Sequence, residues 1–267
     1  MKKEDIIKEL MSISKRLNKS PGRREVPNKL YFNCVKEFSS FNNAKLKAGL
    51  STIKRKCDPL HKGFLKLDER LVRIVSHLTF DGHLSKRLNA FHFSSNNREE
   101  LEKSRGDVYY KFNIGVFKIE KGNGYRNNVL KYWYFNASLC KFLHSVGVPK
   151  GSKVLTKFDV PQWIKDNKEF AREYLKIAYF CEGSRYKHSK NTESIKLNLN
   201  KSERLLEDGL KFMHSVKYLL SQFDIHTTNV WITKGNIRKD EEITKVMNFK
   251  IKANSFNKFI NQIGWLK

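Results

Sequence analysis

The sequence predicts an α+β protein made of two similar halves, each in the order αββαββα, after a small module of three helices. Two apolar, helix-like segments each end in an acid followed by glycine, at Asp81-Gly82 and Glu182-Gly183. The segments 138–150 and 255–267 also align, with shared Ser, Lys, Phe and Gly positions and mostly matching apolar positions. A repeat at both levels indicates duplication of one structural unit, and not two coincidental helices.

The first 60 residues form the predicted helical module. Ile6, Leu10 and Ile13 follow helical spacing and predict a helix over 4–18. Pro21-Gly22 predicts a turn, and a second helix is expected around 30–38. Ser40 is a suitable N-cap for a third helix, which is expected to end near residue 49.

The first half is expected over 61–152 and opens with the helix 67–81, which ends in Asp81. Its remaining elements are predicted from alternation, apolar spacing and turn residues. They are extended segments at 84–93, 108–119 and 129–135, a short helix at 97–104, a hairpin turn at 121–124 and a helix at 137–146.

The second half is expected over 153–267 and begins in a linker rich in Lys, Gly and Pro. A helix from about residue 170 ends in Glu182, and Ile195, Leu197 and Leu199 alternate with polar residues as in a strand. A long helix at 202–222, strands at 225–234 and 244–252 and a terminal helix complete the half.

The composition favours a nucleic-acid partner. The net charge is +26, spread along the whole chain, and a basic surface of this size attracts phosphate. No apolar run approaches the ~20 residues of a membrane span, so no membrane partner is expected. The four cysteines form no CxxC pair and read as reduced thiols, which predicts an intracellular protein.

The two acids stand where the helix dipole disfavours them. A helix C-terminus carries partial negative charge, so Lys, Arg or His is the stabilising choice there. The following glycine is ordinary, since it accepts the left-handed cap conformation. Asp81 and Glu182 are therefore interpreted as carboxylates placed for a function, and capping of local backbone amides is the alternative.

Residues 66–267 resemble the LAGLIDADG homing endonucleases, in the form that carries two motifs on one chain. The resemblance rests on the acid-glycine helix ends and the flanking His77-Leu78 and Ser184, whereas Thr79 and Phe180 depart from the pattern. Residues 1–50 resemble a helical repeat attached to some homing endonucleases, through three short motifs. These are Ser20-Pro21-Gly22-Arg23-Arg24, Phe41-Asn42-Asn43-Ala44 and Ala48-Gly49-Leu50.

The resemblance implies a monomeric, site-specific DNA endonuclease of intron homing, whose two halves form a DNA-binding β-saddle. The implied partner is double-stranded DNA with a long asymmetric target site, with intron RNA as a further one, and the cut leaves short 3′ overhangs. Asp81 and Glu182 would bind Mg²⁺, one acid per strand, with the carbonyls of Phe80 and Cys181 as added ligands. Mn²⁺ or Ca²⁺ would substitute for binding. The alternative is a non-cleaving relative, such as an intron RNA maturase or a DNA-binding regulator.

Basic and amide side chains on the predicted strands are the remaining site candidates. Lys131 and Lys252 fall opposite the apolar strand face and are predicted to assist catalysis, with plain phosphate binding as the alternative. The other predicted DNA-binding residues follow from the basic module and the strand faces. They are Arg23, Arg24, Arg87, Asn89, Lys111, Asn113, Lys196, Asn198, Asn200 and Lys250.

Overall fold

A computed structural model describes residues 1–52, 65–122, 128–189 and 192–265 of the chain. The chain divides into two compact units, Met1–Cys57 and Asp58–Lys267. The predicted domain boundary at residues 60–61 lies outside the described residues. The fold is mixed α/β, and the described residues contain two antiparallel four-stranded sheets, both in the second unit.

The first unit contains the three predicted helices, α1 (Lys3–Leu17), α2 (Asn28–Phe38) and α3 (Phe41–Lys47). The apolar face of α1 is buried in a small core of its own. Asn18 ends α1 in the left-handed conformation, with φ of 49°. The Ser40 side chain accepts a hydrogen bond from the Asn43 N–H and so caps α3, which confirms this helix start.

The second unit contains two consecutive halves with the same order of elements. The first half comprises α4 (Glu69–Thr79), β1 (His83–Leu84), β2 (Phe91–Ser95), α5 (Arg98–Phe112), β3 (Lys118–Lys121), β4 (Leu130–Tyr134) and α6 (Ala137–Ser145). Its sheet has the strand order β1-β2-β4-β3. The pairing of β3 with β4 confirms the predicted hairpin, although residues 123–127 of the turn lie outside the described residues.

A joining segment with a 3-10 turn (Lys153–Leu155) and the short helix α7 (Gln162–Lys165) leads to the second half. That half comprises α8 (Lys168–Glu182), β5 (Gly183–Ser189), β6 (Thr192–Ser202), α9 (Leu206–Ser221), β7 (Trp231–Ile237), β8 (Ile243–Lys250) and α10 (Phe256–Gln262). Its sheet order, β5-β6-β8-β7, repeats that of the first half. Strand β5 was not predicted from the sequence.

The prediction of an extended segment over 108–119 was wrong for most of that range. Residues 98–112 form the single helix α5, and only β3 is extended. Asn97 caps the helix by accepting from the Glu100 N–H, and Leu101, Val108 and Phe112 are buried along one helical face. The β-branched and aromatic residues that suggested a strand are therefore placed by this apolar stripe, which outweighs local propensity.

Helices α4 and α8 pack against each other at the centre of the second unit. The buried Ser76 hydroxyl of α4 donates to the Tyr174 carbonyl of α8, at 3.0 Å. Ala178 of α8 is also fully buried, and side chains this small allow close approach of the two backbones. One face of each central strand covers the helices: Tyr132 and Tyr134 of β4 and Phe249 of β8 are buried, as the alternation predicted.

Candidate functional site

The two acids occupy equivalent places in the two halves, directly before the first strand of each sheet. Helix α4 ends at Thr79, and Asp81 lies exposed in the turn before β1. Helix α8 continues through Glu182, after which β5 begins at once. The position that sequence reasoning singled out is therefore the junction of a central helix with a sheet in both halves.

The glycines after the acids are needed for close packing and not for a left-handed cap, which corrects the sequence interpretation. Gly183 has a φ of −76°. A Cβ at Gly183 would lie 2.3 Å from the Tyr179 carbonyl oxygen, and one at Gly82 would lie 2.8 Å from Leu78 Cδ2. Only glycine lets the chain turn from helix to strand so tightly at these two points.

Lys153 brings the two helix ends into one cluster. Its ammonium group donates to the carbonyls of Phe80 and Gly82, the latter at 2.7 Å. Burial lowers the pKa of Lys153 to about 8, and the negative charges of Glu182 and Asp81 act in the opposite direction. The lysine therefore lies within electrostatic reach of both carboxylates, in the joining segment that belongs to neither acid-bearing helix.

Cys181 provides a second link between the helices. Its thiol donates a hydrogen bond to the Asp81 carboxylate, and burial together with Asp81 raises the pKa of the thiol well above its usual range. Its sulfur lies 3.9 Å from Nδ1 of His77. Burial lowers the pKa of His77 to about 4, so this imidazole is neutral and serves in packing between Phe93 and Phe180.

These residues offer oxygen donors for a hard cation, but few of them. Asp81 and Glu182 are the carboxylates, whereas the Phe80 carbonyl, a predicted ligand, already accepts from Lys153. The described residues contain no group of three or more His, Cys, Asp or Glu side chains that could hold a metal. Carboxylate oxygens are the type of ligand that hard divalent cations take, and such cations keep several waters when protein ligands are few.

Of the two predicted catalytic lysines, the structure brings one near an acid. Ser94 donates through its hydroxyl to the Asp81 carbonyl, at 2.9 Å, and Lys131 is paired with Ser94 across β2 and β4. In the second sheet, Asn248 occupies the register position that corresponds to Lys131. Lys252 lies exposed beyond the end of β8, where its N–H donates to the His226 carbonyl.

The predicted nucleic-acid contacts are divided among the sheets, the turns and the first unit. Lys196, Asn198 and Asn200 lie on β6, and Lys250 lies on β8 with its ammonium 5.4 Å from the Tyr186 ring centroid. Arg87 and Asn89 lie exposed in the turn between β1 and β2. Asn200, Arg87 and Asn89 are exposed, whereas the Asn198 Oδ1 atom is buried.

Two predicted strand residues are not on a strand. Lys111 lies in α5, where its ammonium is buried and donates to the Lys66 carbonyl and the Asp68 carboxylate. Asn113 is the exposed C-cap of the same helix, with φ of 52°. Both were misplaced because residues 108–119 were predicted as extended.

Two arginines of the first unit, Arg23 and Arg24, were predicted to bind DNA. The Arg23 guanidinium lies 3.8 Å from the Tyr31 ring centroid and donates to the Asn28 side chain, so it has a structural partner within its own unit. The Arg24 backbone lies in a short 3-10 turn, and its side chain lies outside the described residues.

Comparison with known proteins gives partial matches only. No family model matches the chain. The chain is 29% identical over 171 residues to the tRNA-splicing ligase RtcB of Methanopyrus kandleri, which covers 59% of this chain and 17% of that protein. It is 24% identical over 280 residues to the replication factor C small subunit of Methanocaldococcus jannaschii, which covers 98% of this chain and 15% of that protein. The RtcB ligase of the same organism is 33% identical over 88 residues, 32% of this chain and 9% of its own length.

These comparisons contradict the resemblance to LAGLIDADG homing endonucleases, and with it the predictions of site-specific DNA cleavage and intron homing. The relatives are named as a splicing ligase and a replication factor subunit, and none as an endonuclease, a maturase or a DNA-binding regulator. An apolar helix that ends in acid-glycine is a short pattern, and it specifies a helix-to-strand junction more directly than a reaction.

The names of these relatives describe proteins that are much longer than this chain. The chain spans less than a fifth of the length of these curated relatives, and the same chain matches proteins of two different names. The activity of the whole relatives therefore does not transfer by similarity alone. Among the described residues, no helix is both long and apolar enough to cross a membrane.

Proposed function

We propose that this chain binds RNA and carries out cation-dependent phosphoryl transfer on it at Asp81, Glu182 and Lys153. The observation that carries the proposal is the convergence of two carboxylates and one buried ammonium at the ends of the packed helices α4 and α8. A single chain supplies all three groups, so we propose that the active species is a monomer.

The charge and the relatives support RNA as the substrate. A net charge of +26 favours a polyanion, because phosphate contacts release condensed counterions. Four of the relatives that match the chain are named tRNA-splicing ligases, so an RNA is the first substrate to test. Lys196 and Lys250, paired on adjacent strands of the second sheet, can contact the backbone phosphates.

Each side chain of the cluster has a distinct proposed role. Asp81 and Glu182 would hold a divalent cation, which when bound supplies charge neutralisation at the phosphate and an activated water. Lys153 holds the Phe80 and Gly82 carbonyls and so fixes the end of α4, while its charge can balance a phosphate oxygen. Ser94 fixes the Asp81 backbone, and Lys131 beside it faces the incoming phosphate.

The test is a change in RNA length that depends on both cation and carboxylates. End-labelled tRNA, and a pair of fragments of the same tRNA, are incubated with the chain in Mg²⁺, Mn²⁺ or EDTA, with a DNA duplex of the same sequence in parallel. With a divalent cation we expect cleavage, in which water adds to phosphorus and a ribose oxygen leaves, or joining of the fragments when an added nucleoside triphosphate activates the phosphate end and leaves as pyrophosphate and nucleoside monophosphate. In EDTA we expect neither reaction.

Asp81→Asn and Glu182→Gln should each lower the rate by at least about 100-fold, since each removes a charged ligand. Glu207→Gln is the matched control, because Glu207 is exposed in the first turn of α9, away from the cluster. Full activity in both carboxylate variants, or a reaction restricted to the DNA duplex, would contradict the proposal.

A further inference from the structure

A row of aromatic rings crosses the first sheet on the side away from the core. We call it the aromatic strip, and it consists of His83, His92, Trp133, Phe135 and Phe117. Successive ring centroids lie 5.4, 4.2, 6.0 and 4.9 Å apart. The first three rings are neighbours across the paired strands β1, β2 and β4. Phe135 directly follows β4, and Phe117 directly precedes β3, the strand paired with β4.

The strip begins at the carboxylate cluster and ends in open solvent. His83 follows Asp81 by two residues, whereas Phe135 and Phe117 remain 53% and 68% exposed. Lys131 and Lys118 lie beside the strip on the same sheet face, and Lys118 pairs with Glu120, which also accepts from the Trp133 indole N–H at 2.8 Å. Large apolar rings left in water in so basic a chain indicate a surface for a partner with both apolar and anionic parts.

The second sheet lacks such a strip at the corresponding register positions. Where the first sheet pairs His83 with His92 and His92 with Trp133, the second pairs Ser184 with Lys196 and Lys196 with Lys250. At the matched positions the first sheet thus presents rings and the second presents Ser184, Lys196 and Lys250, although the Lys250 ammonium lies 5.4 and 5.7 Å from the ring centroids of Tyr186 and Trp231. A partner that contacts both sheets in the same way, such as a regular duplex, would not use this difference.

The rings of the strip present π faces, so the strip is suited to stacking, and Lys131 on the same sheet face supplies positive charge beside it. Burial lowers the pKa of His92 to about 4, so this ring is uncharged at neutral pH.

We propose that the aromatic strip binds unpaired bases of a single-stranded RNA segment by stacking, and that it leads their phosphates to Asp81 and Lys153. Stacking on aromatic rings is how proteins hold unpaired bases, whereas bases in a duplex stack on one another and expose only their edges. The inference rests on the proposed function for its RNA substrate, and it adds that the reacting segment is single-stranded.

The test measures binding of the full chain in EDTA, where no cation-dependent reaction takes place. Three fluorescent RNA probes are compared by anisotropy at one fixed salt concentration: a short unstructured strand, the same strand in a duplex, and an abasic strand of equal length. We expect the unstructured strand to bind most tightly, and the abasic strand to bind with an affinity at least about tenfold lower.

Phe117→Leu and Phe135→Leu remove π faces while keeping apolar bulk, and neither change touches the core, because both rings are exposed. Each should weaken binding of the unstructured strand by about fivefold or more, and leave binding of the abasic strand unchanged. Tyr218→Leu is the matched control, since Tyr218 is 54% exposed on α9, outside the strip. Circular dichroism verifies that each variant is folded.

The outcomes separate this inference from the proposed function. Three results would each overturn the inference that the aromatic strip binds unpaired bases. They are equal affinity for the unstructured and abasic strands, tighter binding of the duplex, and unchanged affinity in both phenylalanine variants. If RNA is still joined or cleaved in those cases, the proposed function stands without the strip. Base-dependent binding without any cation-dependent reaction would support the strip and count against the reaction.

Discussion

Replacing Arg73 by methionine should destabilise the second unit by about 2–3 kcal/mol, because this side chain connects three helices. Its guanidinium in α4 donates two hydrogen bonds to Asp107 of α5, at 2.8 and 2.7 Å, and one to Glu173 of α8, at 3.5 Å. Hydrogen bonding to Asp107, and then the charges of Asp107 and Glu173, raise the pKa of the arginine, which therefore stays charged.

The magnitude follows from the burial of the partners. Breaking a fully buried ion pair costs about 3–5 kcal/mol, and an exposed pair contributes about 0–1 kcal/mol. Asp107 and Glu173 are only 12% and 17% exposed, whereas Arg73 is 28% exposed, so the cost lies below the fully buried limit. Glu173 keeps Lys176 as a partner, and the loss therefore falls mainly on Asp107.

Urea unfolding followed by circular dichroism measures this cost, with the first unit allowed its own transition. Lys258→Met is the control, since Lys258 pairs with Asp224 at exposed positions and should change stability by less than about 0.5 kcal/mol. In a double-mutant cycle with Asp107→Asn, the two changes should couple by about 1.5 kcal/mol or more. Additive changes, or an Arg73 variant as stable as the parent chain, would refute the reasoning.

Three further predictions concern stability. Burial lowers the pKa of Lys201 to about 8, below its value in the unfolded chain, so the free energy of unfolding of the parent chain should rise by up to about 3 kcal/mol between pH 8 and pH 10.5. The rise should be correspondingly smaller in Lys201→Met. Urea titrations at the two pH values that give the same rise for both chains would contradict this. Gly183→Ala should cost about 1–3 kcal/mol, because its Cβ meets the Tyr179 carbonyl, whereas Gly115→Ala, with open space around it, should be neutral in the same assay. Asn136→Ala removes the N-cap of α6 and should lower the thermal unfolding midpoint by the equivalent of about 1 kcal/mol; an unchanged midpoint would mean that water replaces the cap.

The sequence predicts best where a pattern repeats along the chain. Alternation placed Tyr132 and Phe249 on the inner faces of β4 and β8, because period 2 assigns faces without knowledge of the partner. It failed at α5, where residues 108–119 were predicted as extended although a stripe of buried residues had helical spacing. It also missed β5, whose residues are mostly polar and which is specified by pairing with β6.

The residues of the candidate site were also predicted only where the sequence carries a local signal. Asp81 and Glu182 were found because an acid at a helix C-terminus is locally anomalous. Lys153 was not, because a lysine in a linker rich in Lys and Gly has no local signal, and its contacts to Phe80 and Gly82 join residues more than 70 positions apart. The reaction assigned from the helix ends was wrong, since those residues also satisfy a packing requirement common to any such junction.

The position of Lys153 in the joining segment has a consequence for how alike two halves of the same topology can be. Two halves in tandem have a single connection, so a contact made by that connection is made once, and here it holds the end of α4. Asp81 and Glu182 therefore have different surroundings because of the connectivity of the chain, whatever the sequences of the two halves. A task that depends on Lys153 need not be shared equally between the two acids.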